Sequence, residues 1–165
     1  MAEKIIHFIL GNMNIWTPIL AIIIGFLNAL TGKYSEKKFC GTTLSWFLLL
    51  VIGLMGLEGF IMHVFYGDFT AQSIGWQNSP FQYEVGVANL SFGVLGILAF
   101  FIKKHYFRLA TIIGFSIWFI FDGIGHVYQL LIAHDTAPYN AGTTLYTDFI
   151  LPIIGMILIA CSKRK

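Results

Sequence analysis

The sequence predicts an all-α, polytopic membrane protein with five transmembrane helices, and three observations carry that prediction. The first is composition: 57% of the 165 residues are apolar, 11% are charged, and the mean hydropathy is +0.77. That leaves too little polar surface to cover a water-soluble globule. The second is a series of apolar runs approaching the roughly 20 residues needed to cross about 30 Å of hydrocarbon. The third is that the basic residues collect in alternate connections, as cytoplasmic loops do. A net charge of +2 leaves no broad basic field, which argues against nucleic acid as a partner.

The first run, Ile15 to Leu30, follows Lys4 and so mimics a secretory signal. No small-x-small cleavage site follows it, and it is read as a retained helix. TGKYSEKKFCG, with Lys33, Lys37 and Lys38, leads into the second run, Leu44 to Tyr66. The loop GDFTAQSIGWQNSP has no basic residue and is expected outside. The third run, Tyr83 to Ile102, ends at Lys103 and Lys104, with Arg108 close by. Leu109 to Ala133 is the fourth, followed by a second uncharged-to-acidic loop, HDTAPYNAGTT; Leu145 to Ala160 is the fifth, followed by Lys163, Arg164 and Lys165. Nine of the ten basic residues thus lie on one side, which sets the amino terminus outside and the carboxyl terminus in the cytoplasm. Tyr66, Trp76, Tyr139 and Tyr146 are expected as interfacial anchors. Cys40 and Cys161 have no CxxC spacing and fall at cytoplasmic ends, where unpaired, reduced thiols are expected.

Ionisable residues inside the spans are costly in lipid and mark function or pairing. They are Glu58 and His63 in the second span, Glu84 in the third, Asp122 and His126 in the fourth and Asp148 in the fifth. All six fall in the outer half of the bilayer. Their order is self-similar: Glu58-Gly59 precedes His63-Val64-Phe65, Asp122-Gly123 precedes His126-Val127-Tyr128, and each histidine is followed one span later by an acid. The pattern suggests a parallel duplication within one membrane domain, residues 1–165, as an accessory helix and cytoplasmic loop (1–40), a first helix-pair repeat (41–104) and a second (105–165). The two pairs would build one four-helix bundle. Asp122 and His126 are four apart and share a helix face, whereas Glu58 and His63 are five apart and stand about 140° round an ideal helix. The spacing predicts a π-bulge or local unwinding between Glu58 and His63 that restores the pairing; the alternative is that one of the two side chains points elsewhere. Gly53, Gly56 and Gly59, with Gly86, Gly93 and Gly96, are expected to permit close helix packing. Asn28, Asn89 and Ser91 are expected as interhelical hydrogen-bond donors, and His7, His105 and His134 as solvated.

Four carboxylates and two histidines on four helices form the ligand inventory of di-iron and di-manganese bundles, although the acid-to-histidine spacings of four and five depart from Glu-x-x-His. Carboxylates neutralise divalent cations, and imidazole favours transition metals over magnesium or calcium. The leading expectation is a membrane metal-binding protein using Glu58, His63, Glu84, Asp122, His126 and Asp148, with iron first, then manganese or zinc. If the metal is redox-active, the enzyme class is an oxidase or oxygenase on a lipid-soluble or periplasmic substrate. The alternatives are a bis-histidine haem protein on His63 and His126, an ion- or proton-coupled transporter, a cofactor-free acid/base lipid isomerase, and a structural subunit. Four acids beside a porphyrin argue against haem, and an apolar inner half argues against a transport path.

The segment Ser79-Pro80-Phe81-Gln82-Tyr83-Glu84-Val85-Gly86-Val87-Ala88-Asn89-Leu90, entering the third span, resembles a signature of an uncharacterised family of small bacterial integral membrane proteins, a domain of unknown function. The resemblance covers this segment and the general hydropathy layout. It implies the bacterial inner membrane, with lipid as a partner; it includes Glu84 and supplies no activity.

Overall fold

The computed structural model describes residues 10–31 and 34–163, all helix, turn and connection. Lys4, His7, Lys33, Arg164 and Lys165 lie outside the described residues. Five helices are long and apolar enough to cross a membrane, which makes the chain a multi-pass membrane protein. The first is α1, Met13–Leu30. The second is one continuous span made of α2 (Glu36–Phe47), a π-helical segment (Leu48–Leu54) and α3 (Met55–Phe65). A short helix α4, Gly67–Ile74, leads to α5, Phe81–Phe101. Then come α6, His105–Ile132, the single turn α7, Pro138–Ala141, and α8, Thr143–Lys163.

The second span, α5, α6 and α8 form a four-helix bundle, in which α3 pairs chiefly with α5, α6 with α8, and α2 with α8. Helix α1 lies along α2 and also reaches the π segment and α8. It is therefore more than an outer accessory: Asn14 donates to Thr147 Oγ1 at 3.0 Å and Thr17 to Met55 Sδ at 3.2 Å.

Glycine sets the tightest helix contact, as its spacing predicts. A Cβ on Gly56 would stand 2.6 Å from Gly93 N, and one on Gly96 would stand 2.5 Å from Gly53 N. No side chain fits between backbones at that separation, so α5 and the second span meet main chain to main chain. Beside this seam Leu44, Phe47, Leu48, Ile52, Ile112, Phe115, Leu151 and Leu158 form a sealed apolar core. It fills the half of the bundle nearer the lysines. The expected interhelical donors turn inward instead: Asn89 donates to Val85 O and Ser91 to Val87 O, each within its own helix.

Two expectations, the place of the π turn and the state of the cysteines, are corrected here. The π-helical turn lies at Leu48–Leu54, before Glu58, and the stretch from Glu58 to His63 is ordinary α-helix. The connections after the second and fourth spans both contain helix, α4 and α7. Cys40 and Cys161 are joined in a disulfide rather than left as free thiols. The start of α2 and the end of α8 run side by side, with the two Cα atoms 5.8 Å apart, within the range a disulfide spans. Their separation of 121 residues hides this neighbourhood from any local motif.

Two outcomes test the packing. Gly56→Leu is expected to destabilise the detergent-purified protein by at least the roughly 1–3 kcal/mol typical of overpacking, whereas Gly125→Ala, where a Cβ meets nothing within 4 Å, should leave the melting temperature unchanged or raised. In the folded protein a thiol-reactive label should attach at Cys40 and Cys161 only after reduction; labelling without reductant would show that the two thiols are not bonded to each other.

Candidate metal centre in the cavity at the loop end

Opposite the sealed core the bundle opens into a cavity of about 740 Å³. Its floor includes Val51, Ile52 and Phe115, and its rim includes Leu10 and Met13 at the start of α1. Five of the six ionisable residues expected from sequence line it: Glu58 and His63 on α3, Asp122 and His126 on α6 and Asp148 on α8. Glu84 is not among the lining residues; it is exposed on α5. Gln82, two residues earlier and buried, occupies the cavity wall in its stead. On a helix two residues is about 200° of rotation, so the amide and the carboxylate face opposite ways.

Asp122, His126 and Asp148 form the compact part of the site. One ligand-type atom from each lies within 4.8 Å of the others. Asp122 and His126 share a face of α6 because they are one turn apart. Asp122 opens to the cavity, while His126 and Asp148 are only 4% and 2% exposed. Gly123 brings α8 close enough for this: a Cβ there would stand 3.0 Å from Asp148 Cβ.

The imidazole of His126 is held from behind. Asn140, fully buried on α7, donates through Nδ2 to Asp135 O at 2.7 Å, which orients its amide oxygen toward His126 Nδ1 at 2.8 Å. Nδ1 therefore carries the proton and donates to that oxygen, leaving the Nε2 lone pair directed at the cavity side. Asp148 Oδ2 lies 3.8 Å from Nε2 and is buried with no hydrogen-bond partner. Asp148 Oδ2 and His126 Nε2 thus face each other without a hydrogen bond between them. Buried polar atoms are seldom left this way unless a proton or a cation completes them.

His63 is gripped in a related manner on the other wall, its Nδ1 2.5 Å from Gln82 Oε1. Glu58 and His63 are five apart on ordinary α-helix, yet both line this wide cavity, so neither the bulge nor the alternative of one side chain pointing elsewhere holds. Trp76 covers His126, with ring centroids 6.0 Å apart. Trp76, Tyr66 and Tyr139 line the cavity, where sequence suggested interfacial anchors; Tyr146 remains outside it and largely exposed.

Gln82, Asn140, Tyr139 and Trp76 were missed by a search for acids and histidines. A local signal existed for Asn140. Asp135 accepts from Ala137 N at 2.9 Å and Pro138 begins α7, an Asp-x-x-Pro turn that starts a helix.

The fold and cavity define a five-span helical membrane protein with a chamber at one end, in which five ionisable side chains stand among largely apolar walls. The chain belongs to a family of unknown function (DUF6790), whose model matches residues 11–165. No curated protein and no solved structure matches it.

The cover over His126 depends on Gly75, whose φ of 90° ends α4 and whose Cβ position is 2.4 Å from Asp135 Oδ1. Gly75→Ala is expected to cost at least the roughly 1–2 kcal/mol of a left-handed non-glycine residue. It should lower the melting temperature and raise protease cleavage between α4 and α5; unchanged values for both would remove Gly75 from this role.

Proposed function

We propose that the protein is a membrane-embedded metal-binding protein that holds one divalent transition-metal ion on Asp122, His126 and Asp148, beside a cavity that admits a small, largely apolar substrate. The observation that carries this is the buried, unpartnered Oδ2 of Asp148 facing the lone pair of His126 Nε2. A cation there would complete both groups at once. Metal ligands at about 2.1 Å from one ion stand about 3.4 Å apart in a tetrahedron, so the 3.8 Å gap closes with a small side-chain rotation. The acceptor oxygen of Asn140 behind His126 is the kind of partner that fixes a metal-binding tautomer. Two carboxylates and one imidazole suit iron first, then manganese or zinc.

Three protein ligands leave positions open, the arrangement of catalytic rather than structural sites. Those positions face the chamber, whose opposite wall carries Glu58 and the His63–Gln82 pair. There Glu58 and His63 would serve as acid or base toward a substrate rather than as ligands of the same ion. With a redox-active metal the activity would be an oxidase or oxygenase on a lipid-soluble substrate. A cofactor-free acid/base protein is favoured by the same pair if a proton, shared by Asp148 and His126, replaces the metal.

The basic residues support an arrangement in which the chamber opens outside, to the periplasm of a bacterial inner membrane, and the lysine-rich end lies in the cytoplasm. The Cys40–Cys161 disulfide pulls the other way, since disulfides persist in oxidising compartments. Single cysteines introduced at residues 68–79 into a protein lacking the native pair should be labelled from the periplasmic side; labelling only after permeabilisation reverses the orientation.

Metal analysis and an absorption spectrum of detergent-purified protein test the centre. The expected outcome is stoichiometric metal without a Soret band, and a melting temperature that falls on chelation. His126→Ala and Asp148→Asn should abolish both the metal and the chelator effect, while Asn140→Leu should weaken binding about 10–100-fold. Stability indifferent to chelator in metal-loaded protein would make the ion adventitious and leave the shared proton as the better account.

A further inference from the structure

At the end of the bundle remote from the chamber, a groove of about 530 Å³ lies between α2 and the turn joining α5 to α6. Lys37, Lys38, Lys103 and Arg108 line it, with Gly41 and Trp46. No Asp or Glu is among its lining residues. Four cations therefore share one concavity.

Arg108 is the informative member. It is 93% buried by its 7% exposure, an unusual state for a cation in an apolar bundle. Its Nε donates to Ala99 O at 2.9 Å and its Nη2 to Phe100 O at 3.2 Å, which caps the end of α5. These carbonyls satisfy two of the five guanidinium donors but bring no negative charge. No ion pair to Arg108 occurs among the described residues. Lys38 is likewise anchored to a neutral group, the carbonyl of Thr31. Lys37 and Lys103 are exposed at the mouth.

The wall toward the membrane is aromatic. Trp46 packs on Phe100 with centroids 5.4 Å apart, and Phe100 packs on Phe101, which is 69% exposed. Gly41 provides room, since a Cβ placed there meets nothing within 4 Å. A soluble anion has no use for the aromatic wall, whereas a phospholipid places its charge among the lysines and its acyl chains along Phe100 and Phe101.

We propose that this groove binds the headgroup of an anionic phospholipid, with Lys37, Lys38, Lys103 and Arg108 around the phosphate and Trp46, Phe100 and Phe101 against the upper acyl chains. The proposal requires only that the helices span a membrane, and it is independent of the metal centre.

The test is native mass spectrometry of delipidated, detergent-purified protein titrated with phosphatidylglycerol, phosphatidylcholine or water-soluble glycerol 3-phosphate. Phosphatidylglycerol should be retained in preference to phosphatidylcholine and should not be displaced by glycerol 3-phosphate. Gly41→Trp fills the empty space without touching a charge and should abolish that preference. Lys37→Gln/Lys103→Gln changes only exposed side chains and should weaken retention about 30-fold, the loss expected for two basic residues near an anionic surface. Equal retention of the two lipids overturns the proposal, as does unaltered preference in both variants. Displacement by glycerol 3-phosphate at equal concentration would reassign the groove to a soluble phosphate.

Discussion

Hydrocarbon offers no hydrogen-bond partner, and the arrangement of this chain follows from that one constraint. Every polar side chain inside the spans must find a partner within the protein or open onto water. The chain meets the demand by separating the bundle into two halves. Near the lysines, glycine lets α5 and the second span touch main chain to main chain, and Phe47, Phe115 and their neighbours fill what remains. Near α4 and α7 the helices part, and Glu58, His63, Asp122, His126 and Asp148 share one chamber. Thr17 bonds back to Met13 O and Thr111 to Phe107 O within their own helices, whereas Thr43 Oγ1 and Ser116 Oγ are buried without a hydrogen-bond partner.

The chamber itself is held by amides rather than by ions. Gln82 grips His63 and Asn140 grips His126, each amide arriving from an element after the histidine in the chain. A neutral amide fixes an imidazole without adding charge to a site already rich in carboxylates. The short helices α4 and α7 matter for the same reason. α7 carries Asn140 and Tyr139 to the chamber, and the end of α4 delivers Trp76 over His126. What a hydropathy plot marks as connecting loops thus forms the roof of the site.

The sequence was informative where a signal is carried by length, depth or exclusion. Five spans, the glycine seam and the common depth of the buried acids and histidines could be read because lipid penalises the alternatives severely. It was uninformative where only rotation or distant pairing decides. Glu84 and Gln82 differ by two positions, and which one faces inward depends on how α5 is turned against α3. The π turn at Leu48–Leu54 involves apolar residues alone, so nothing in its composition distinguishes it from an α-helix. Cys40 and Cys161 meet only because α2 and α8 are neighbours, which the order of spans leaves open.

The disulfide also has a topological consequence. The bond closes a covalent ring from Cys40 to Cys161, and every chamber residue from Val51 to Asp148 belongs to it. Leu10, Gly11, Met13 and Asn14 are the lining residues outside the ring. Helix α1 is attached to that ring at one place, through the connection from Thr31 to Ser35, at the far end from the chamber. The helix packs along α2, and its Met13 and Asn14 end reaches the chamber. The Asn14–Thr147 hydrogen bond, 3.0 Å long, therefore ties a chamber wall that lies outside the covalent ring to one that lies inside it.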